Sequence, residues 1–242
     1  MVKVYVMDNY EGLSNKAASI IASQITLKEN SVLGFSTGST PEGMYSRLVQ
    51  MYRQGLLDFN KVVTFNLDEY VGLSPDHPQS YHYFMHQHLF NHVNVPPENI
   101  NIPLGTAENL EEHCRAYDKK IAAVGGIDLQ VLGIGVNGHI GFNEPDRCLS
   151  AWTCVVDLSE ATIKANSRFF NSEDEVPRQA ITMGMASILH ARRLMLLASG
   201  KSKARAIRET LSGKVSTQVP ASFLQLHPNA IIVMDKEAAS LL

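Results

Sequence analysis

Between Leu129 and Pro145 the chain reads LQVLGIGVNGHIGFNEP, an apolar strand that runs straight into a turn carrying four glycines. Leu129, Val131, Leu132 and Ile134 leave no polar alternation, the pattern of a strand buried on both faces, as in a parallel sheet covered by helices. Gly133, Gly135, Gly138 and Gly141 admit backbone conformations and close approaches that side chains would block. Asn137, His139 and Glu144 are placed in that turn, at the carboxyl end of a strand, which is where open α/β sheets bind ligands.

The rest of the chain fits such a sheet. Apolar runs at 2–7, 31–36, 62–67, 127–134, 194–198 and 230–234 alternate with helix-like stretches near 11–27, 41–54, 80–91, 108–123, 178–191 and 201–211. That alternation predicts an α/β fold with a mainly parallel sheet and helices on both faces. Pro41 suits a first helical turn with Thr40 as its cap, and Thr182 either caps or interrupts the helix after Pro177. No linker, repeat or low-complexity tract divides the 242 residues, so a single domain over 1–242 is expected. The pattern weakens between 146 and 177, where SRFFNSEDEVPR is polar and irregular. That segment reads equally as a lid over the site and as a solvated loop.

Charge excludes some partners. With 21 basic and 24 acidic residues the chain is weakly acidic, so no broad cationic face for nucleic acid is expected. No run of about 18 apolar residues suggests a membrane span, and the first apolar stretch is too short for a signal-peptide core. Cys114, Cys148 and Cys154 are odd in number and lack C-x-x-C spacing, which fits a reducing cytoplasm.

Two loops point to an anion. STGSTPEGMY at 36–45 places Thr37, Gly38, Ser39 and Thr40 before a helix, where free amides, hydroxyls and the helix dipole converge. No lysine completes a nucleotide-binding G-x-x-x-x-G-K-[ST], so a nucleoside triphosphate is not expected, and an ordinary capped turn is the plain alternative. SGKSKARAI at 199–207 puts Lys201 and Lys203 in a first helical turn, where cations oppose the dipole unless an anion binds. A solvated surface role is their alternative. Arg168, in ANSRFF, offers a planar fork for a phosphate.

Acid and base chemistry is expected from two further places. FNLDEY at 65–70 ends a strand with Asp68 and Glu69 adjacent, and like charge with partial desolvation raises carboxyl pKa values toward neutrality. Both could instead cap the following segment. His139 and Glu144 lie five residues apart, so that the carboxylate can hold one ring nitrogen while the other moves a proton, with Asn137 completing the arrangement. A satisfied core histidine is the alternative. No G-x-S-x-G elbow supports a serine nucleophile. His82, His86, His88 and His92 form two i, i+4 pairs on different helix faces without H-E-x-x-H, and their aromatic neighbours suggest packing, so no metal is assigned.

With STGSTPEGMY, FNLDEY, GIGVNGHIGFNEP, ANSRFF and GKSKA in one chain and in this order, the sequence resembles the glucosamine-6-phosphate deaminases of the glucosamine/galactosamine-6-phosphate isomerase family, over nearly its whole length. The tetrad FNEP after G-H-I-G separates it from the 6-phosphogluconolactonases, which have similar loops. The resemblance implies a modified Rossmann-like fold, no cofactor and no metal. It also implies that glucosamine 6-phosphate is isomerised and deaminated to fructose 6-phosphate and ammonium. It assigns Asp68 as the base between C2 and C1, and His139, oriented by Glu144, as the ring-opening group. Thr37, Gly38, Ser39, Thr40, Glu69, Arg168 and Lys203 are then the substrate-binding residues. A lactonase-like hydrolase and a non-catalytic sugar-phosphate sensor are the alternatives. Asn137 stands where many members carry aspartate. Cys154 and Val156 stand where allosteric hexamers carry basic residues for N-acetylglucosamine 6-phosphate, so a monomer or small homo-oligomer without that control is expected.

Overall fold

The computed structural model describes residues 2–242. Its first half contains β1 (Lys3–Met7), α1 (Tyr10–Leu27), β2 (Val32–Phe35), α2 (Ser39–Arg53), β3 (Val63–Asn66), β4 (Asp68–Tyr70), α3 (Tyr81–His88), β5 (Ile100–Asn101) and α4 (Leu110–Ala123). Then come β6 (Leu129–Gly133), β7 (Cys154–Asp157), α5 (Glu160–Asn166), β8 (Gln179–Thr182), α6 (Met185–Leu189), β9 (Leu194–Ala198), α7 (Ala204–Thr210) and β10 (Ala230–Asp235). Seven strands form one sheet in the order β1-β10-β9-β6-β2-β3-β5, and every pairing in it is parallel.

Alternation along each strand feeds two apolar layers. Leu33 and Phe35 of β2 and Leu129 and Val131 of β6 pack with Leu13, Ile21, Met44, Leu48 and Met85 from α1, α2 and α3. Val32 of β2 and Leu132 of β6 join Tyr117, Ile188 and Ile207 from α4, α6 and α7 on the other face. This is the α/β arrangement expected, with helices on both faces. The chain builds outward from β2 through β3 to β5, returns to insert β6 on the other side of β2, and continues to β9 and β10. The order therefore reverses between β2 and β6, the crevice where such sheets bind ligands.

Three expectations are corrected. Residues 178–191 do not form one helix, because Gln179–Thr182 pairs with both β4 and β7 in a second, antiparallel sheet of order β4-β8-β7. Ile181 and Thr182 are β-branched and buried there, and Gly184 breaks the run before α6: a Cβ on it would come within 2.4 Å of the Trp152 carbonyl oxygen. Segment 146–177 is not irregular throughout, since it supplies β7 and α5, the latter capped by Ser159, whose hydroxyl accepts from the Thr162 amide. Finally, α2 begins at Ser39 with Gly38 as its N-cap, rather than at Pro41 with Thr40 as cap.

Candidate active site

β9, β6, β2 and β3 are neighbours and all parallel, so their carboxyl ends open onto one edge of the sheet. At about 4.8 Å per strand these four ends span about 14 Å, the reach of one small phosphorylated molecule. The loops of Thr37–Thr40, Asp68, His139 and Lys203 each leave one of these ends, whereas Arg168 comes from the segment after α5.

At the end of β2, Gly38 adopts φ of 103°, a left-handed value that favours glycine and lets the chain turn sharply into α2. The amides of Thr37, Gly38, Ser39 and Thr40 find no acceptor among the described residues. The Ser36 hydroxyl is buried beside them without a partner, and Tyr45 Oη donates to the Ser36 carbonyl at 2.6 Å, fixing the loop from beneath. Unspent donors at a helix start form an anion seat.

At the end of β9, Lys203 lies in a 3-10 turn (Lys201–Lys203) that precedes α7, half-buried, while Lys201 is exposed. Burial, then the charge of Arg168, pulls the Lys203 ammonium below its ordinary range. Arg168 occupies the 3-10 turn after α5, its guanidinium 4.6 Å from the centre of the Phe169 ring. Two cations close enough to oppose each other are stabilised by an anion between them.

Asp68 follows β3 by one residue and opens β4, opposite Thr182 of β8. Its side chain is 6% exposed and makes no hydrogen bond among the described residues. Burial, and then the neighbouring Glu69, raises its pKa to about 8. Glu69 has a different setting. Its carboxylate accepts from the amides of Tyr70, Tyr81 and His82 at 2.8, 2.9 and 2.8 Å, tying β4 to the first turn of α3. Burial outweighs these donors and raises it to about 7. The capping alternative therefore describes Glu69, whose oxygens are committed to backbone, and not Asp68.

The turn after β6 is organised by short-range hydrogen bonds. Asn137 Oδ1 accepts from the His139 amide at 3.2 Å, Gly135 N–H donates to the His139 carbonyl, and Gly138 and Gly141 take φ of 85° and 57°. Glu144 Oε2 accepts from Asn137 Nδ2 at 2.7 Å. Glu144 Oε1 lies 3.4 Å from His139 Nδ1, and that nitrogen is buried without an aligned hydrogen-bond partner. The contact is that of a charge beside a ring, just short of a formed bond. Burial pushes the Glu144 carboxyl up, but the imidazole, the Thr162 hydroxyl and the Asn137 amide outweigh it and hold it down at about 2. Glu144 is thus a carboxylate at any working pH.

The small sheet joins this turn to Asp68. Phe142 N–H donates to Thr182 Oγ1 at 3.1 Å, Asn143 Nδ2 donates to the Met183 carbonyl at 2.9 Å, and Met183 N–H donates to the Leu67 carbonyl. Thr182 is the residue paired with Asp68. Three site features escaped the sequence reading: Thr162, Ser36 as a buried donor, and Gly135 as the surface under His139. A capping serine at 159 before Glu160 and Ala161 was the available signal for α5 and hence for Thr162. Gly135 and Ser36 had none, because both act through contacts distant in sequence.

An α/β enzyme with an anion seat, a buried carboxylate and a histidine–carboxylate pair at one switch point belongs with the sugar-phosphate transforming proteins. The sequence matches the family of glucosamine-6-phosphate isomerases/6-phosphogluconolactonase over residues 8–233. The chain belongs to that family. Glucosamine-6-phosphate deaminase of Thermoanaerobacter pseudethanolicus is 60% identical over 241 residues, covering 100% of this chain and 95% of that one. The deaminase of Halothermothrix orenii is 59% identical, with 100% of both chains covered. Among solved structures, a monomeric glucosamine-6-phosphate deaminase superposes with a TM-score of 0.97 at 47% identity, 100% of both chains aligned. A 6-phosphogluconolactonase from Trypanosoma brucei superposes with a TM-score of 0.81 at 19% identity, a likeness of fold alone.

Proposed function

We propose that this chain is a glucosamine-6-phosphate deaminase, converting glucosamine 6-phosphate and water to fructose 6-phosphate and ammonium. The observation that carries the reading is Asp68, a buried carboxyl without a hydrogen bond, held near neutrality at the sheet edge where the anion seat and the histidine turn converge. Full-length relatives named as deaminases at 59 and 60% identity support it.

The substrate phosphate sits on the Thr37–Thr40 amides and is closed over by Lys203 and Arg168. That anchoring sets the far end of the sugar against the histidine turn. His139, with Glu144 and Asn137 behind it, takes the proton from the anomeric hydroxyl and returns one to the ring oxygen, opening the pyranose to its aldehyde. Only then is the C2 hydrogen acidic, flanked by the C1 carbonyl. Asp68 removes it and delivers it to C1, while the C1 oxygen takes up a proton that the amine gives up, so that C1 becomes an alcohol and the C2 amine an imine. Water adds to that imine, the C–N bond breaks and ammonium leaves. Each positioned acid or base is worth about 10² to 10⁴ in rate. Glu69 serves indirectly, by fixing β4 and raising the Asp68 pKa.

The chain acts as one functional unit, since each apolar layer draws residues from both halves of the sequence. A monomer or small homo-oligomer is the state proposed, in keeping with the monomeric structural relative. Among the described residues no helix is long and apolar enough to cross a membrane. All three cysteines are free, which suits a cytoplasmic location. A coupled assay tests the activity: ammonium and fructose 6-phosphate should form together from glucosamine 6-phosphate. A lactonase would yield neither and would instead open 6-phosphogluconolactone. Sedimentation with and without N-acetylglucosamine 6-phosphate tests the assembly, and an effector-responsive hexamer would contradict it.

A further inference from the structure

One oxygen of Glu144 has two claimants. Thr162 Oγ1 donates to Glu144 Oε1, and this same oxygen is the one 3.4 Å from His139 Nδ1, whose hydrogen-bonding capacity is left unused. Asn137 holds the other oxygen, Oε2, at 2.7 Å, so the carboxylate cannot rotate to offer the ring a free lone pair without breaking a bond. The groups that surround Glu144 are then His139 and Asn137 from its own turn and Thr162 from α5.

Thr162 belongs to a helix with other ties to the site. α5 starts on the Ser159 cap, and its last residue, Asn166, donates from Nδ2 to Tyr70 Oη at 2.8 Å; Tyr70 ends the short strand that Asp68 begins. Arg168 follows two residues later. Ile163 of the same helix is buried with Tyr70, Phe142 and Val176. A single short helix thus touches the carboxylate behind the imidazole, the strand of the buried aspartate and the turn that carries the phosphate-facing arginine.

We propose that Thr162 is a positioning residue for ring opening: its hydroxyl sets where Glu144 Oε1 lies relative to His139 and links that placement to the helix preceding Arg168. Held by Thr162, Oε1 stands just beyond hydrogen-bond alignment with Nδ1. This inference rests on the ring-opening role proposed for His139 and Glu144.

The test compares kcat and KM for glucosamine 6-phosphate between pH 6 and 9 in the wild type, Thr162→Ser, Thr162→Val and Glu144→Gln, with thermal melts to confirm folding. Thr162→Val keeps the shape and deletes the donor. It should lower kcat about tenfold, the scale of one hydrogen bond to a charged group. It should also change the pH profile of kcat/KM, because the position of Oε1 against Nδ1 is altered. Thr162→Ser, which retains the hydroxyl, should restore both parameters to near wild type. Thr162→Val with wild-type kcat and pH profile, while Glu144→Gln is impaired, overturns the role of Thr162 and leaves the relay standing. Thr162→Ser as impaired as Thr162→Val overturns it too, since the hydroxyl would not then be the agent. Glu144→Gln with full activity overturns the relay itself, and the role of Thr162 with it.

Discussion

The imidazole of His139 lies directly over the Cα of Gly135, so close that a Cβ on Gly135 would sit 2.3 Å from the ring. Gly135 is needed here for closeness of approach and not for an unusual φ. Gly135→Ala must therefore push the ring out of its position beside Glu144. A displacement of about 1 Å at a reacting group costs about 10²-fold in rate. The expected result is a kcat about a hundredfold lower with an unchanged circular dichroism spectrum; a variant within a fewfold of wild type would mean that the ring position is not critical.

Asp68 sets a linked prediction for rate and stability. Its folded pKa of about 8 lies far above the ordinary carboxylate value of 3.8, so between those pH values the folded protein holds a proton that the unfolded chain has released. Stability due to this group is full below the lower value and is lost as pH rises toward the upper one. Asp68→Asn removes that slope while abolishing turnover. Its melting temperature should match wild type near pH 4 and exceed it by pH 8 to 9, with phosphate binding retained. Wild-type kcat/KM should rise with pH toward about 8 as the base form accumulates. Near-wild-type turnover in Asp68→Asn would remove Asp68 from the mechanism.

Burial and the charge of Arg168 both oppose the positive charge of Lys203, and a bound anion would offset both. Lys203→Ala should raise KM at least tenfold with kcat within a fewfold of wild type. It should also reduce the rise in melting temperature that inorganic phosphate gives the wild type. An unchanged KM together with an unchanged phosphate response would take the lysine out of the site.

Glu69 holds the amides of Tyr70, Tyr81 and His82, and a glutamine offers one acceptor oxygen and an opposing N–H₂ in its place. Glu69→Gln should cost about 1 to 3 kcal/mol in denaturant unfolding at pH 8. Its kcat should fall less than that of Asp68→Asn, because the loss acts through the placement of β4. An undiminished stability would show that α3 is held by other means.

The parallel sheet, the layers of helices and the loops that hold Thr37 to Thr40, Asp68, His139, Glu144 and Lys203 are legible in the sequence. Each depends on neighbours in the chain: periodicity marks an element, and a glycine or a cap marks its end. What only the tertiary structure decided is which of two adjacent carboxylates is free. Asp68 and Glu69 are alike in sequence, yet one is committed to the start of α3 and the other is left buried and unpaired. Tertiary structure also decided that residues 179–182 extend as a strand, because pairing with β4 and β7 satisfies their backbone on both sides. Thr162 and Gly135 belong to the same class. Their importance comes from atoms brought within a few ångströms by folding, a distance that residue order along the chain does not encode.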